Sequence, residues 1–129
     1  MRNISFALTT QQVRDRIKTV TRRVGWEFLR PGDRLQAIVK GQGLKRGEHP
    51  EKICVIEVVD VRREALGRML EDFIGAMGER KYGIEECVKE GFGDHKTLWS
   101  PTWFVDFFCQ SHKGCTPRTI ITRIEFKYV

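Results

Sequence analysis

The densest chemistry in the chain lies in Arg14-Asp15-Arg16-Ile17-Lys18-Thr19-Val20-Thr21-Arg22-Arg23, where five cationic side chains and two threonine hydroxyls occupy ten residues. Asp15 is the only acid in the stretch, so a surface built from it favours phosphate or a polar planar ligand; a solvated charged face is the competing expectation. If the segment leaves a short helix and enters a strand, Thr19, Thr21 and Arg23 fall on one side and Lys18, Val20 and Arg22 on the other. Lys18 and Thr21 can then share a pocket only across the last helical turn or a bulge.

Glu90 is the matching acid. Residues 83–90 read as a short helix with Ile84, Cys87 and Val88 inward and Gly91 ending it, which puts the Glu90 carboxylate at the unfavourable end of the helix dipole. An acid there needs a cation or water. A threonine hydroxyl is a poor nucleophile until a base removes its proton, and a lysine is such a base only when burial or neighbouring cations lower its pKa. Arg16, Arg22 and Arg23 are close enough in sequence to supply that pressure on Lys18, with Thr21 as nucleophile and Glu90 passing a proton to a leaving amine. Without catalysis the same groups make a recognition pocket, Lys18 and Arg23 for phosphate or carbonyl oxygens, Thr21 and Glu90 for base edges.

The elements that must position these residues fit one domain, since 129 residues with 40% hydrophobic content support a single core. The formal net charge is +6, and all of the excess lies in residues 1–65, with 14 Lys/Arg against 8 Asp/Glu. Such asymmetry is the footprint of one face meeting a polyanion. Cys54, Cys87, Cys109 and Cys115 form no CxxC pair, and His49, His95 and His112 are scattered. A zinc site from Cys109, His112 and Cys115 lacks a fourth ligand and the usual spacing, so neither metal nor cofactor is expected. With no leader and no membrane-spanning apolar run, a soluble cytoplasmic protein with reduced cysteines is expected.

Ile4, Phe6 and Leu8 alternate as a first strand. Thr9 with Gln12 fits a capping box before a brief helix through Val13 and Ile17. Gly25-Trp26 breaks the pattern that follows, and Leu29-Arg30-Pro31-Gly32-Asp33 is a turn. Arg34 to Lys40 reads as a strand with one wet face and Lys52 to Val61 as a central strand. The glycine-rich, basic stretch from Gly41 to Pro50 joins them as a long hairpin loop or a ligand-closing loop. Leu66, Met69, Leu70, Phe73, Ile74 and Met77 predict an amphipathic packing helix. Ser100 caps a second helix with Pro101 at its first position and a wide apolar face of Trp103, Phe104, Phe107 and Phe108. Thr119 to Lys127 is a closing strand with Ile120, Ile124 and Phe126 on one side. The fold class is α+β, a small curved or barrel-like sheet with helices at its ends.

Lys18-Thr19-Val20-Thr21-Arg22-Arg23, Gly25-Trp26, the Leu29 to Asp33 turn before a strand, Glu90-Gly91-Phe92 and the C-terminal Ile-x-Phe strand together resemble the ASCH domain family of the PUA-like superfamily. The resemblance spans nearly the whole chain and is closest to small, stand-alone bacterial and phage members. It implies a small PUA-like β-barrel with flanking helices, a cleft beside the first helix, and a role with RNA or modified nucleosides. Some small members are amidohydrolases on N4-acetylcytidine that use a Lys, a Thr three residues later and a Glu from the helical insert. By motif those roles fall on Lys18, Thr21 and Glu90, with Arg23 as a substrate contact; the insert around Glu90 and the loop from Gly41 to Pro50 are longer here. The expectation is an RNA-binding or nucleotide-binding ASCH module with a basic cleft contacted by Arg16, Arg22, Arg23, Lys40, Lys45 and Arg46. The alternatives are an N4-acylcytidine amidohydrolase, and beyond it a ribonuclease or a non-catalytic interaction module. The expected partner is RNA, a nucleoside or a nucleotide, not a membrane, and the oligomeric state is left open.

Overall fold

The computed structural model describes residues 1–75, 78–93 and 100–129, with 72–75 and 78–81 described by their backbone alone. Strands β1 (Arg2–Ser5), β2 (Val20–Arg23), β3 (Arg34–Ile38), β4 (Lys52–Ala65) and β7 (Ile120–Tyr128) form a five-stranded sheet in the order β1-β3-β4-β7-β2. β1 runs parallel to β3, and the other pairings are antiparallel. The sheet is a curled half-barrel, an α+β fold with α1 (Thr10–Arg14), α2 (Tyr82–Lys89) and α3 (Pro101–Ser111) around it. Register shifts at Ala37/Ile38 and Val58/Asp60 assist the curl, because an extra residue in one strand increases local twist.

The concave side holds one core, built around Ile4, Phe6, Leu35, Ile56, Ile124 and Phe126. A second core lies between the sheet and the helices, with Met69, Cys87, Phe92, Phe104, Phe108 and Ile121 at its centre. β7 serves both, so Ile121, Thr122, Arg123 and Ile124 are all buried and the simple alternation expected there is replaced by burial on both faces. Ile120, grouped from sequence on one side with Ile124 and Phe126, is half exposed at the strand's start, whereas those two are buried.

Several elements differ from their sequence expectations. The periodic run from Leu66 does not make an α-helix: Leu66–Leu70 is a 3-10 turn and the chain then forms the hairpin β5 (Asp72–Gly75) and β6 (Gly78–Lys81). Leu66 and Met69 are buried as a helical pattern requires, but one turn satisfies both, and the β-branched and aromatic Phe73 and Ile74 then enter a strand. Met77, the last residue of that pattern, lies outside the described residues, as do His95 and Trp99. The first strand stops at Ser5, leaving Leu8 exposed, and the Thr9 side chain makes no capping bond; instead Thr10 Oγ1 donates to the Phe6 carbonyl at 2.7 Å. Ser100 does cap α3, accepting from the Trp103 amide at 3.2 Å. Of that helix's aromatics Phe104 and Phe108 are buried, whereas Trp103 faces solvent. The stretch from Gly41 to Pro50 connects antiparallel β3 and β4, a long hairpin loop as its glycines allow.

Candidate functional site

The two edges of the half-barrel, β1 and β2, do not pair with each other as strands, and a cavity of about 440 Å³ opens in the seam between them. Arg23 spans the seam. Its Nη2 donates to the Ser5 carbonyl at 2.6 Å and its Nε to Thr21 Oγ1 at 3.0 Å, while its guanidinium lies 5.0 Å from the Phe6 ring centre. Lys18, Thr21, Arg22 and Glu90 line the same cavity, with Phe92, Phe104, Phe107 and Phe108 from the helical side. The pocket therefore has a charged floor and an aromatic wall, the composition expected for a flat polar ligand.

Lys18 precedes β2 in the link that follows α1, so strand alternation does not govern it and it reaches the same cavity as Thr21. Its amine donates to the Glu90 carboxylate and to the Glu90 main-chain carbonyl, both at 2.7 Å. Burial lowers the Lys18 pKa, Glu90 opposes that, and Arg23 and Arg22 push it further down. Arg16, expected to share in this pressure, does not: it has a left-handed backbone with φ of 59° and its guanidinium sits over the Tyr128 ring. Gly91, with φ of 101°, ends α2 and turns the chain so that Glu90 faces Lys18 while Phe92 enters the second core. Glu90 is thus buried, its unfavourable dipole position compensated by two cations rather than by water.

Arg22 is the structural pivot. It donates to Glu90 Oε2 at 3.2 Å, to Glu86 Oε1 at 2.6 Å and to the Tyr82 hydroxyl at 3.2 Å, with Nε buried and without a partner among the described residues. Burial works against its charge, but Glu90 and Glu86 outweigh this and raise its pKa. Arg123 closes the network by donating two bonds to Glu86. The inward face of α2 is therefore Glu86, Cys87 and Glu90, while Ile84 and Val88, predicted to point in, are about half exposed. Glu86, Tyr82 and Arg123 were not anticipated. The signal for Glu86 was its spacing, since a residue four before Glu90 lies on the same helix face.

The ten-residue basic stretch is less free than its local composition implies. Arg14 pairs with Glu51 and Arg22 with the acids of α2, both distant in sequence. Arg23 is the cavity-lining arginine with no carboxylate partner among the described residues. Burial lowers its pKa to about 10, against Glu90, which leaves it cationic at neutral pH. Lys40 lines a second cavity on the other side of Ser5, whereas Arg16, Lys45 and Arg46 line neither. Cys109 and Cys115 approach to 3.3 Å between sulfurs, but His112 stacks on Phe108 and its Nδ1 meets the Phe108 carbonyl. Among the described residues no three His, Cys, Asp or Glu side chains are grouped to hold a metal, and no helix is long and apolar enough to cross a membrane.

No family model matches the chain and no curated protein is significantly similar to it. Two solved structures are similar. An ASCH domain from Lactobacillus crispatus has a TM-score of 0.59 at 14% identity, covering 98% of this chain and 78% of its own. A DUF984 protein from Enterococcus faecalis has a TM-score of 0.51 at 13% identity, covering 93% and 69%. At such identity the likeness concerns backbone architecture, and the site chemistry rests on this chain's own residues. The curled mixed sheet, the helices packed beside it and these two matches together give this chain an ASCH-like, PUA-like fold.

Proposed function

We propose that the seam cavity binds a nucleobase of RNA or of a nucleotide. The observation that carries the reading is the Arg23 guanidinium, which bridges the seam without a carboxylate partner among the described residues and faces a pocket walled by Phe92, Phe104 and Phe108. The aromatic wall offers a planar base its faces, the Thr21 hydroxyl offers a donor and the Glu90 carboxylate an acceptor for its edge, and Arg23 and Lys18 offer positive charge to a carbonyl or phosphate. Glu90 holds Lys18 and Arg22 in place and so fixes the floor before a ligand arrives, which limits the ordering cost of binding.

The test is titration of a fluorescent single-stranded RNA at several salt concentrations. Affinity should fall steeply as salt rises, because counterions are released from each phosphate contacted. Arg23→Ala should weaken binding by about tenfold or more, the range of a charge-assisted hydrogen bond, with Arg14→Ala as an unchanged control. RNA binding that is absent at low salt, or indifferent to Arg23, would remove the proposal.

A second reading, hydrolysis of an N4-acylated cytidine, is favoured by the meeting of Lys18, Thr21 and Glu90 in one cavity. Thr21 Oγ1 would attack the acyl carbon as Lys18 takes its proton, the C–N bond would break as Glu90 returns a proton to the departing amine, and water would then hydrolyse the acyl-threonine ester, giving cytidine and a carboxylate. In the resting arrangement Lys18 bonds Glu90, and Thr21 accepts from Arg23, so activation of Thr21 requires Lys18 to exchange partners. Incubation with N4-acetylcytidine followed by chromatography should yield cytidine, with loss of at least a hundredfold in Thr21→Ala and Lys18→Ala on the scale typical of acid–base groups. Activity that persists in Thr21→Ala would end this reading and leave the binding pocket intact.

A further inference from the structure

The second cavity, of about 690 Å³, adjoins the first: Ser5 and Ala7 line both, so one backbone ridge separates them. Its other walls are Asn3, Trp26, Lys40 and Gln42, with Ile38 and Pro50 as apolar filling. Among the described residues no carboxylate lines it. Lys40 makes no ion pair, and the amides of Asn3 and Gln42 make no side-chain hydrogen bond, with any described residue. A half-buried indole, a free cation and two uncommitted amides are what a second base with its phosphate would need.

Two features show that Trp26 is held rather than merely exposed. It has a left-handed backbone with φ of 57°, which for a bulky residue costs on the order of 1–3 kcal/mol and persists only where surroundings enforce it. Its ring also packs on Phe28, centroids 5.6 Å apart, and Phe28 carries the Arg2 guanidinium 4.5 Å from its centre. The ridge between the cavities is itself marked by charge, since the Ser5 carbonyl that belongs to both sides accepts from Arg23.

We infer that the second cavity is a subsite for the nucleotide adjacent to the one in the seam, so that the ligand is a single-stranded chain crossing the ridge under Arg23. This rests on the nucleobase reading of the first cavity. Trp26 stacks the second base, Asn3 and Gln42 meet its edge, and Lys40 neutralises its phosphate, while Arg23 stands where the linking phosphodiester passes.

The experiment compares a nucleoside monophosphate, the corresponding RNA dinucleotide and an RNA hexamer by calorimetry, with wild type, Trp26→Ala, Trp26→Phe and Lys40→Ala. The dinucleotide should bind about tenfold or more tighter than the monophosphate, the gain of one stacked base. Trp26→Ala and Lys40→Ala should each remove most of that gain while changing monophosphate affinity less than twofold, and Trp26→Phe should restore part of it. A dinucleotide no tighter than the monophosphate, or a Lys40→Ala variant that keeps the whole gain, overturns the subsite and leaves the seam reading standing. Failure of all three ligands to bind overturns the seam reading and the subsite with it. Lys40 is exposed and outside both cores, so its variant keeps the test valid even if Trp26→Ala unfolds.

Discussion

Glu86→Gln is expected to destabilise the protein by about 3–5 kcal/mol, the range seen when one partner of a buried ion pair is removed. The carboxylate is 1% exposed and receives Arg22 at 2.6 Å and two bonds from Arg123, with Lys89 at 3.4 Å on its outer side. Glutamine keeps the shape but carries no charge, and its amide nitrogen turns a donor toward a guanidinium. Two buried arginines then lose their shared and nearest carboxylate at once, leaving Arg22 with Glu90 at 3.2 Å and Arg123 with Glu125 at 3.7 Å. Urea denaturation reads the loss as a lower midpoint with an unchanged slope. Arg14→Ala, which breaks a pair whose side chains are 44% and 66% exposed, should cost under about 1 kcal/mol because water and salt already screen it. A comparable loss from both variants would mean that the buried network is not what anchors α2 to the sheet.

The same network sets the response to acid. Burial resists ionisation of Glu86, but the Arg123 hydrogen bonds and the Arg22 charge prevail and hold its pKa at about 2, against 4.5 for a free carboxyl. A depressed folded pKa contributes stability that is fully present above 4.5 and is lost as pH falls through 2, worth up to about 3 kcal/mol at 1.36 kcal/mol per unit. Lys18 works in the same direction at the other end of the scale. Its folded pKa lies below 10.5, so stability rises with pH between those two values. Glu86→Gln should therefore flatten the acid limb of the stability profile and leave the alkaline limb in place.

The strands were legible because their alternation is produced by one buried face, as at Leu35 and Ala37. The resemblance of their motifs, rather than local charge, singles out Lys18, Thr21 and Glu90 together, and in the fold Lys18 and Arg22 are the cations on the Glu90 carboxylate. Long-range pairing was not legible. Nothing near Arg22 in sequence announces Glu86, and Arg123 looks like a solvent-facing strand residue until β7 is covered on both sides. The run beginning at Leu66 misled for a related reason: its 3.6-residue period extends over about three turns, but one 3-10 turn already buries Leu66 and Met69, and the backbone then forms a hairpin. Charge totals do not say which cations are free: Lys18 and Arg22 of the basic stretch are paired inside the fold with Glu90 and Glu86.

Gly83→Ala is expected to destabilise by about 2–5 kcal/mol and to abolish ligand binding in the seam, although alanine is the better helix former by about 0.8–1.0 kcal/mol. Gly83 is in the first turn of α2, pressed against the 3-10 turn. A Cβ there would lie 1.8 Å from the Met69 carbonyl oxygen and 2.7 Å from Pro101 Cγ, against 3.4 Å for ordinary contact. The carbonyl belongs to backbone and cannot rotate aside, so α2 must retreat by well over an ångström. α2 carries Glu86, and Glu90 follows directly at its end, so the retreat draws both carboxylates from Arg22, Arg123 and Lys18, whose bonds at 2.6 to 3.2 Å tolerate no such shift. The packing clash and the broken pairs therefore act together and exceed the propensity gain severalfold. Thermal denaturation and RNA titration of the variant read the two effects separately. A stabilised Gly83→Ala, following helix propensity alone, would show that α2 moves freely on the 3-10 turn and that the acids of the site are not held by close backbone approach.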